Sequence, residues 1–224
     1  MPPDFLDSAA VLSTVEGLFS EIYSDLVHSE DVAVCAWLHE RFNASADLVT
    51  DFLFKTVFRS FYGMDRAKLS AEFVNAYFQL FEKERRNKCP DLQGIVGALY
   101  KYGTGTAGTA VHFSFATKMV ATIRPESPIY DGNIATLFDF NPYKRLNIPE
   151  KLVPKARFDR YMALLQAIQE TLRNPRGRHL IGKFGLKLGN DVNGWTNLHP
   201  MKQGDLILWS AGRRLIASVR RISR

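Results

Sequence analysis

Apolar residues recur every three to four positions along most of the chain, the spacing that aligns them on one face of an α-helix. Several of these stretches begin near a Ser or Asp that is suited to cap a helix, such as Asp7 or Ser8 in the first and Ser45 or Asp47 in the third. The predicted helical stretches are 7–26, 31–42, 45–64, 67–86, 110–123, 131–140, 157–175 and 201–222. The pattern predicts a mainly α protein, a multi-helix bundle with little strand.

The same spacing predicts which side chains face the core. Phe52 is expected to be buried in the third stretch and Met162 in the seventh, while the aromatic side chains of 67–86 are expected to form core. Residues 174–200 are predicted to be largely irregular, with the segment 179–185 as a candidate strand or hairpin.

The length of 224 residues suits one medium domain or two small ones. We expect a single predominantly helical domain over 1–224, with two helical lobes, about 1–100 and 101–224, as the alternative. Hydrophobic residues make up 46% and charged residues 23%, which is ordinary for a globular protein. The chain shows no secretory signal and no apolar run long enough to span a membrane, so we expect an intracellular protein, cytoplasmic or nuclear.

Cysteine and histidine spacing favours neither disulfides nor metals. Cys35 and Cys89 stand alone, so no disulfide-linked partner is expected. The histidines, which are His28, His39, His112, His179 and His199, lack the spacing of metal ligands. We expect no metal and no cofactor.

The net charge of +6 is concentrated in the C-terminal third. The basic residues there are Arg173, Arg176, Arg178, Lys183, Lys187, Arg213, Arg214, Arg220, Arg221 and Arg224. Such clusters suit the phosphate backbone of a nucleic acid, and they equally suit a solvated surface that keeps the protein soluble. Arg178, Lys183, Arg213 and Arg214 are the candidate contacts.

A glycine-rich segment, Gly-Thr-Gly-Thr-Ala-Gly, contains Gly103, Gly105 and Gly108. It imitates a dinucleotide fingerprint, but that motif needs alternating strands and helices, which the surrounding pattern lacks. Its backbone amides could hold a phosphate at the start of the next helix, with His112 beside them. The alternatives are a flexible connection for the glycines and packing or capping for the histidine.

Lys118 interrupts an otherwise apolar helical stretch, and Asp131 follows at the start of the next one. A lysine in such a place extends to solvent, finds a partner, or performs chemistry, since a shielded amine can form a Schiff base. Asp131 is placed to cap its helix through a backbone amide. It could also move a proton or stabilise developing positive charge.

Two segments within residues 110–138 are Phe-Ser-Phe-Ala-Thr-Lys-Met-Val-Ala-Thr-Ile and Pro-Ile-Tyr-Asp-Gly-Asn. Together they resemble the catalytic region of the helix-hairpin-helix DNA glycosylase superfamily, in particular its 8-oxoguanine branch. Thr117 and Lys118 match that family's Thr-Lys pair, and Pro128 to Asp131 match its aspartate segment. The family's hairpin is rich in glycine, whereas here Phe113 to Ala116 occupy that position.

This resemblance implies the helix-hairpin-helix glycosylase fold, DNA as the partner, and excision of an oxidised or otherwise damaged base. Lys118 would attack the deoxyribose with Asp131 assisting, and the Schiff base would permit strand cleavage. Such an enzyme extrudes its target nucleotide into a pocket. Candidate pocket side chains are Trp209, Trp195, Phe138 and Tyr130, for each of which a core role is favoured.

A competing hypothesis keeps the scaffold without the chemistry. A non-catalytic module that binds nucleic acid or protein needs only the basic surface, because a fold does not determine function. In that case Lys118 would be inert and Asp131 would only cap its helix.

Overall fold

The computed structural model describes residues 5–102, 112–141 and 153–222. Within these ranges it contains eleven α-helices and no strand, which confirms the mainly α prediction. In chain order these are α1 (Ser8–Gly17), α2 (Phe19–His28), α3 (Asp31–Ala44), α4 (Phe52–Phe61), α5 (Ala71–Asn87), α6 (Leu92–Tyr100), α7 (Phe113–Ile123), α8 (Gly132–Leu137), α9 (Val153–Arg173), α10 (Pro175–Asp191) and α11 (Pro200–Ile222). None of the helices in the described ranges is long and apolar enough to cross a membrane.

The expectation of an irregular region with a strand near 179–185 is wrong, because α10 covers most of it. Asn174 caps this helix by accepting a hydrogen bond from the Gly177 amide at 2.8 Å, and Pro175 occupies its first position, where a missing N–H costs nothing. Its buried side chains are Leu180, Ile181, Phe184 and Leu188. Their spacing is helical, although the glycines between them obscure it in the sequence.

Further details of the helical pattern also differ from expectation, and α6 was not among the predicted stretches. The stretch 7–26 is divided into α1 and α2 at Leu18. α4 starts later than predicted, because the Asp51 side chain accepts from the Phe54 amide at 3.0 Å, and Phe52 is then 77% exposed in the first turn. Met162 of α9, which was expected to be buried, is 39% exposed, whereas Leu164 is buried.

The described residues group into two compact units, Met1–Glu30 with Pro128–Arg224, and Asp31–Ser127. The first unit is built from two separate stretches of the sequence. We call it the terminal unit and the other the central unit. α3 to α7 belong to the central unit, and the remaining helices belong to the terminal unit.

The central unit has an aromatic core, as predicted for the stretch 67–86. Ser70 caps α5 by accepting from the Phe73 amide at 3.1 Å, and one face of the helix turns inward. The fully buried aromatic side chains of this unit are Phe54, Phe58, Phe73, Tyr77, Phe78, Phe81 and Phe113. Many of these rings lie in edge-on or tilted pairs, such as Phe54 and Phe78 with centroids 6.4 Å apart. Each large ring of this kind buries an extensive apolar area.

Glu82 on α5 is a buried carboxylate that joins two segments of the central unit. It accepts hydrogen bonds from the Leu48 amide at 3.1 Å, from Arg85 at 2.9 Å and from Arg86 at 2.7 Å. Burial by itself would raise the pKa of Glu82, but these three donors outweigh burial and lower the pKa to about 2.

We expect the lowered pKa of Glu82 to make the central unit sensitive to acid. A carboxyl group whose pKa is lower in the folded state stabilises the fold fully above its ordinary pKa of 4.5, and this contribution is lost as pH falls towards 2. Glu82→Gln should therefore lower the free energy of unfolding at pH 7 by roughly 3 kcal/mol and lessen its fall below pH 5. Urea unfolding at a series of pH values, followed by circular dichroism, measures both quantities.

Glu84→Gln, on the same helix, is the matched control and should keep the acid sensitivity of the wild-type protein. A Glu82→Gln variant with the wild-type pH profile would contradict this role for Glu82.

In the terminal unit α11 is the central element, and it packs against α8, α2, α1, α9 and α10. Helix 201–222 was predicted despite its two glycines, and α11 confirms it. The packing of α11 explains why position 212 is a glycine. A Cβ atom there would overlap the backbone carbonyl of Asn133 on α8, so the two helices meet at a distance that only glycine permits.

Candidate functional site

The lysine singled out by the sequence lies in α7, within the central unit. The helix begins after His112, which occupies the capping position without a side-chain capping bond. α7 buries one apolar face, including Phe113, Ala116 and Met119. The Tyr77 hydroxyl on α5 donates to a main-chain carbonyl of α7 at 3.0 Å and ties the two helices together.

Lys118 itself is buried, with only 5% of its surface exposed. Its Nζ donates to the Tyr62 carbonyl oxygen at 3.2 Å. The same nitrogen lies 5.5 Å from the centroid of the Tyr62 ring and 5.6 Å from that of Phe115, both within cation–π range. Of the three expectations for this lysine, extension into solvent is therefore wrong, and an amine enclosed by a carbonyl and two rings is observed.

Asp131 lies at the start of α8 in the terminal unit, and its predicted capping role is confirmed. Its Oδ1 accepts from the Asn133 amide at 2.9 Å, and the side chain is half-buried. Lys118 and Asp131 thus belong to different compact units.

A buried ion pair that sequence analysis missed lies beside the segment that carries Asp131. Lys202 Nζ and Asp205 Oδ2 on α11 are 2.6 Å apart, and both side chains are almost fully buried. Asp205 Oδ1 also accepts from the Ile129 amide at 3.3 Å. Burial raises the pKa of the Asp205 carboxyl, with the neighbouring Lys202 charge acting in the opposite direction. The available sequence signal was a lysine and an aspartate three positions apart on an apolar helix.

His112, a candidate phosphate contact, is buried against Phe73, with ring centroids 4.4 Å apart. Burial lowers the pKa of its imidazole, which favours the neutral form. His112 therefore packs within the core of the central unit. Gly103, Gly105 and Gly108, the other candidates in this region, lie outside the described residues.

The basic candidates on α10 differ in their surroundings. Arg178 and Lys183 are exposed, and the Lys183 amine lies 4.6 Å from the centroid of the Phe19 ring. Arg176 on the same helix is instead paired with Glu16 at 2.6 Å. Arg178 and Lys183 therefore remain available at the surface for an anionic partner.

The two arginines of α11 share one carboxylate. Arg214 donates from its Nε to Asp25 on α2 at 2.8 Å and from a second nitrogen to the other carboxylate oxygen. Arg213 lies 3.3 Å from the same side chain and 4.6 Å from the centroid of the Trp209 ring. Burial would raise the pKa of Asp25, but the hydrogen bonds from Arg214 and Ser210 and the charge of Arg213 outweigh burial and lower it. Both arginines help to join α2 to α11, a role that sequence analysis missed.

The candidate pocket aromatics are mostly core. Trp195, Phe138 and Tyr130 are buried, in keeping with the favoured core role, and Trp209 is half-buried beneath Arg213. Arg220, Arg221 and Arg224 lie outside the residues whose side chains the structure describes. Among the side chains that it does describe, no group of three or more His, Cys, Asp or Glu residues is placed to hold a metal ion.

Comparison of the chain with models of protein families, with curated proteins and with solved structures finds no match.

Proposed function

We propose that the protein is a DNA base-excision glycosylase that acts through a Schiff base at Lys118 on an oxidised or otherwise damaged base. The observation that supports this proposal best is the surroundings of Lys118. Its amine is buried, donates to the Tyr62 carbonyl oxygen and lies within cation–π range of two aromatic rings. A desolvated lysine is the kind that proteins use as a nucleophile towards sugar or carbonyl carbon.

In the proposed reaction the amine of Lys118, once it has given up a proton, forms a bond to C1′ of the deoxyribose. The bond between C1′ and the base breaks, and the base leaves with the electron pair and is protonated. The sugar ring then opens to give an imine between Lys118 and C1′. Loss of a proton from C2′ and departure of the 3′ phosphate complete strand cleavage by β-elimination. The carboxylate of Asp131 would stabilise the positive charge that develops on the sugar.

The test is borohydride trapping of the purified protein on duplex oligonucleotides that contain 8-oxoguanine, another damaged base or an abasic site. Reduction of the imine should leave a covalent adduct, and peptide mapping should locate it at Lys118. No adduct on any of these duplexes, from protein with the circular dichroism spectrum of a folded helical chain, would refute the proposal. An adduct at another lysine would refute the assigned nucleophile.

The exposed cations of α10 are proposed to contact DNA phosphates. Replacing both Arg178 and Lys183 with Gln should reduce the slope of log K against log salt concentration by about 2, since each phosphate contact contributes about 0.9. Fluorescence anisotropy with a labelled duplex across a range of salt concentrations measures this slope.

Arg176→Gln is the matched control on the same helix, because Arg176 is already paired with Glu16. It should leave the slope unchanged. Equal slopes for the wild-type protein and the Arg178 and Lys183 double variant would exclude this surface from the interface.

The alternative proposal is a non-catalytic module that binds nucleic acid or protein on the same helical scaffold. It is supported by the hydrogen bond that the Asn133 amide donates to Asp131 and by the one that Lys118 donates to the Tyr62 carbonyl, because both give these side chains a structural role. This alternative predicts salt-dependent binding of DNA without any adduct in the trapping experiment.

A further inference from the structure

The segment from Ile129 to Asn133, which carries Asp131, is fixed to α11 on both sides of the aspartate. Before it, the Ile129 amide donates to Asp205 Oδ1 at 3.3 Å. After it, the Asn133 backbone lies against α11 at Gly212. Positions 205 and 212 are two turns apart on α11, and a helix advances about 1.5 Å per residue. The backbone around Asp131 is thus held at two points along one helix.

Asp205 is an unusual residue for the first of these points. It is 5% exposed, and its second carboxylate oxygen is 2.6 Å from the Nζ of Lys202, which is itself 1% exposed. A buried ion pair contributes little stability in comparison with apolar side chains of similar volume. Its presence here calls for another explanation, and the bond to the Ile129 amide supplies one.

We propose that Asp205, oriented by Lys202, is a positioning residue that sets the backbone of the 129–133 segment and thereby the Asp131 carboxylate. This inference rests on the proposed function for its catalytic consequence. A carboxylate that must stabilise charge on a sugar acts only over a narrow range of positions, and a displacement of about 1 Å can reduce a rate about 100-fold. Lys202 acts through Asp205, because it holds the carboxylate so that Oδ1 faces the Ile129 amide.

The test uses two double variants that differ only in whether they keep the acceptor. Lys202→Met with Asp205→Leu replaces the ion pair by apolar side chains of similar volume, so the fold is expected to persist while the Ile129 amide loses its acceptor. Lys202→Met with Asp205→Asn also removes both charges but keeps a side-chain oxygen in the place of Oδ1. Comparison of the two double variants therefore separates the effect of losing the hydrogen bond from the effect of losing the charges.

Two quantities are measured for the full chain. The first is the hydrogen exchange rate of the Ile129 amide, which needs no enzymatic activity. The second is the single-turnover rate of base excision, together with the Kd for the damaged duplex. We expect the Leu variant to exchange the Ile129 amide at least about tenfold faster and to excise about 10–100-fold more slowly with an unchanged Kd. The Asn variant should stay within about threefold of the wild-type protein in both.

Equal excision rates for the Leu and Asn variants would overturn the catalytic role of Asp205, and an unchanged Ile129 exchange rate in the Leu variant would overturn the anchoring itself. If the wild-type protein excises no base, the proposed function fails and the catalytic role fails with it. The exchange measurement then still decides the anchoring, so the two failures can be told apart. Should the Leu variant fail to fold, the single variant Lys202→Met provides the test, and wild-type exchange of Ile129 in it would overturn the role given to Lys202.

Discussion

Lys118→Ala is expected to abolish the borohydride adduct and to lower the excision rate by on the order of 10³-fold or more, because no other group can form the imine with C1′ in the proposed reaction. The Kd for the damaged duplex should change by less than about threefold, since Lys118 is buried and phosphate contacts supply most of the affinity. Single-turnover excision and anisotropy on the same duplex measure the two effects separately.

Lys55→Ala is the matched control for this substitution. Lys55 lies in the same central unit, and its Nζ also donates to a main-chain carbonyl, that of Val49, at 2.7 Å. Removing it should leave both the adduct and the rate intact. Lys118→Met, which keeps an apolar chain of similar length, guards against a loss of activity caused by a cavity. Excision by either Lys118 variant at the wild-type rate would refute the assigned nucleophile.

Gly212→Ala is expected to destabilise the terminal unit by on the order of 3 kcal/mol. The new methyl group would overlap the Asn133 carbonyl oxygen and carbon, which are backbone atoms of α8 and cannot turn aside as a flexible side chain would. Either α8 or α11 must shift, and the contacts between these helices are lost as they separate. Thermal and urea unfolding of the full chain measure the change in stability.

Gly182→Ala provides a control that is expected to raise the stability of the protein instead of lowering it. Gly182 lies within α10 in the same unit, it is exposed, and a Cβ there would meet nothing within 4 Å. Alanine loses less backbone freedom than glycine on folding, so this substitution should stabilise the protein by about 0.5–1 kcal/mol. A Gly212→Ala variant as stable as the wild-type protein would show that α8 and α11 do not meet at the described distance.

The sequence predicted the helices best where the signal was local. Asp131, and Asp7 as one of two candidates beside Ser8, were recognisable as caps because the bond each makes reaches only two or three residues along the chain. The apolar spacing of α5, α9 and α11 was equally plain. By contrast, α10 was missed because four glycines weaken helical propensity, and only its packing in the terminal unit outweighs them.

The same contrast between local and distant signals holds for the residues of the candidate site. Lys118 and Asp131 were found because a charge within an apolar stretch and a carboxylate at a helix start are visible in the sequence itself. The enclosure of Lys118 by Tyr62 was not visible, since 56 residues separate them. The bond from Ile129 to Asp205 spans 76 residues, and its existence depends on how α11 packs.

The chain by itself therefore determined that the protein is mainly helical, where several of the helices begin, and which lysine and aspartate are the candidates for chemistry. Only the tertiary structure decided that Phe52 faces solvent, that Arg213 and Arg214 share Asp25, and that Gly212 allows α8 to approach α11. The physical reason is that backbone hydrogen bonds of a helix join residues four apart, whereas burial, ion pairing and close approach depend on partners that are distant in sequence and are brought together only by packing.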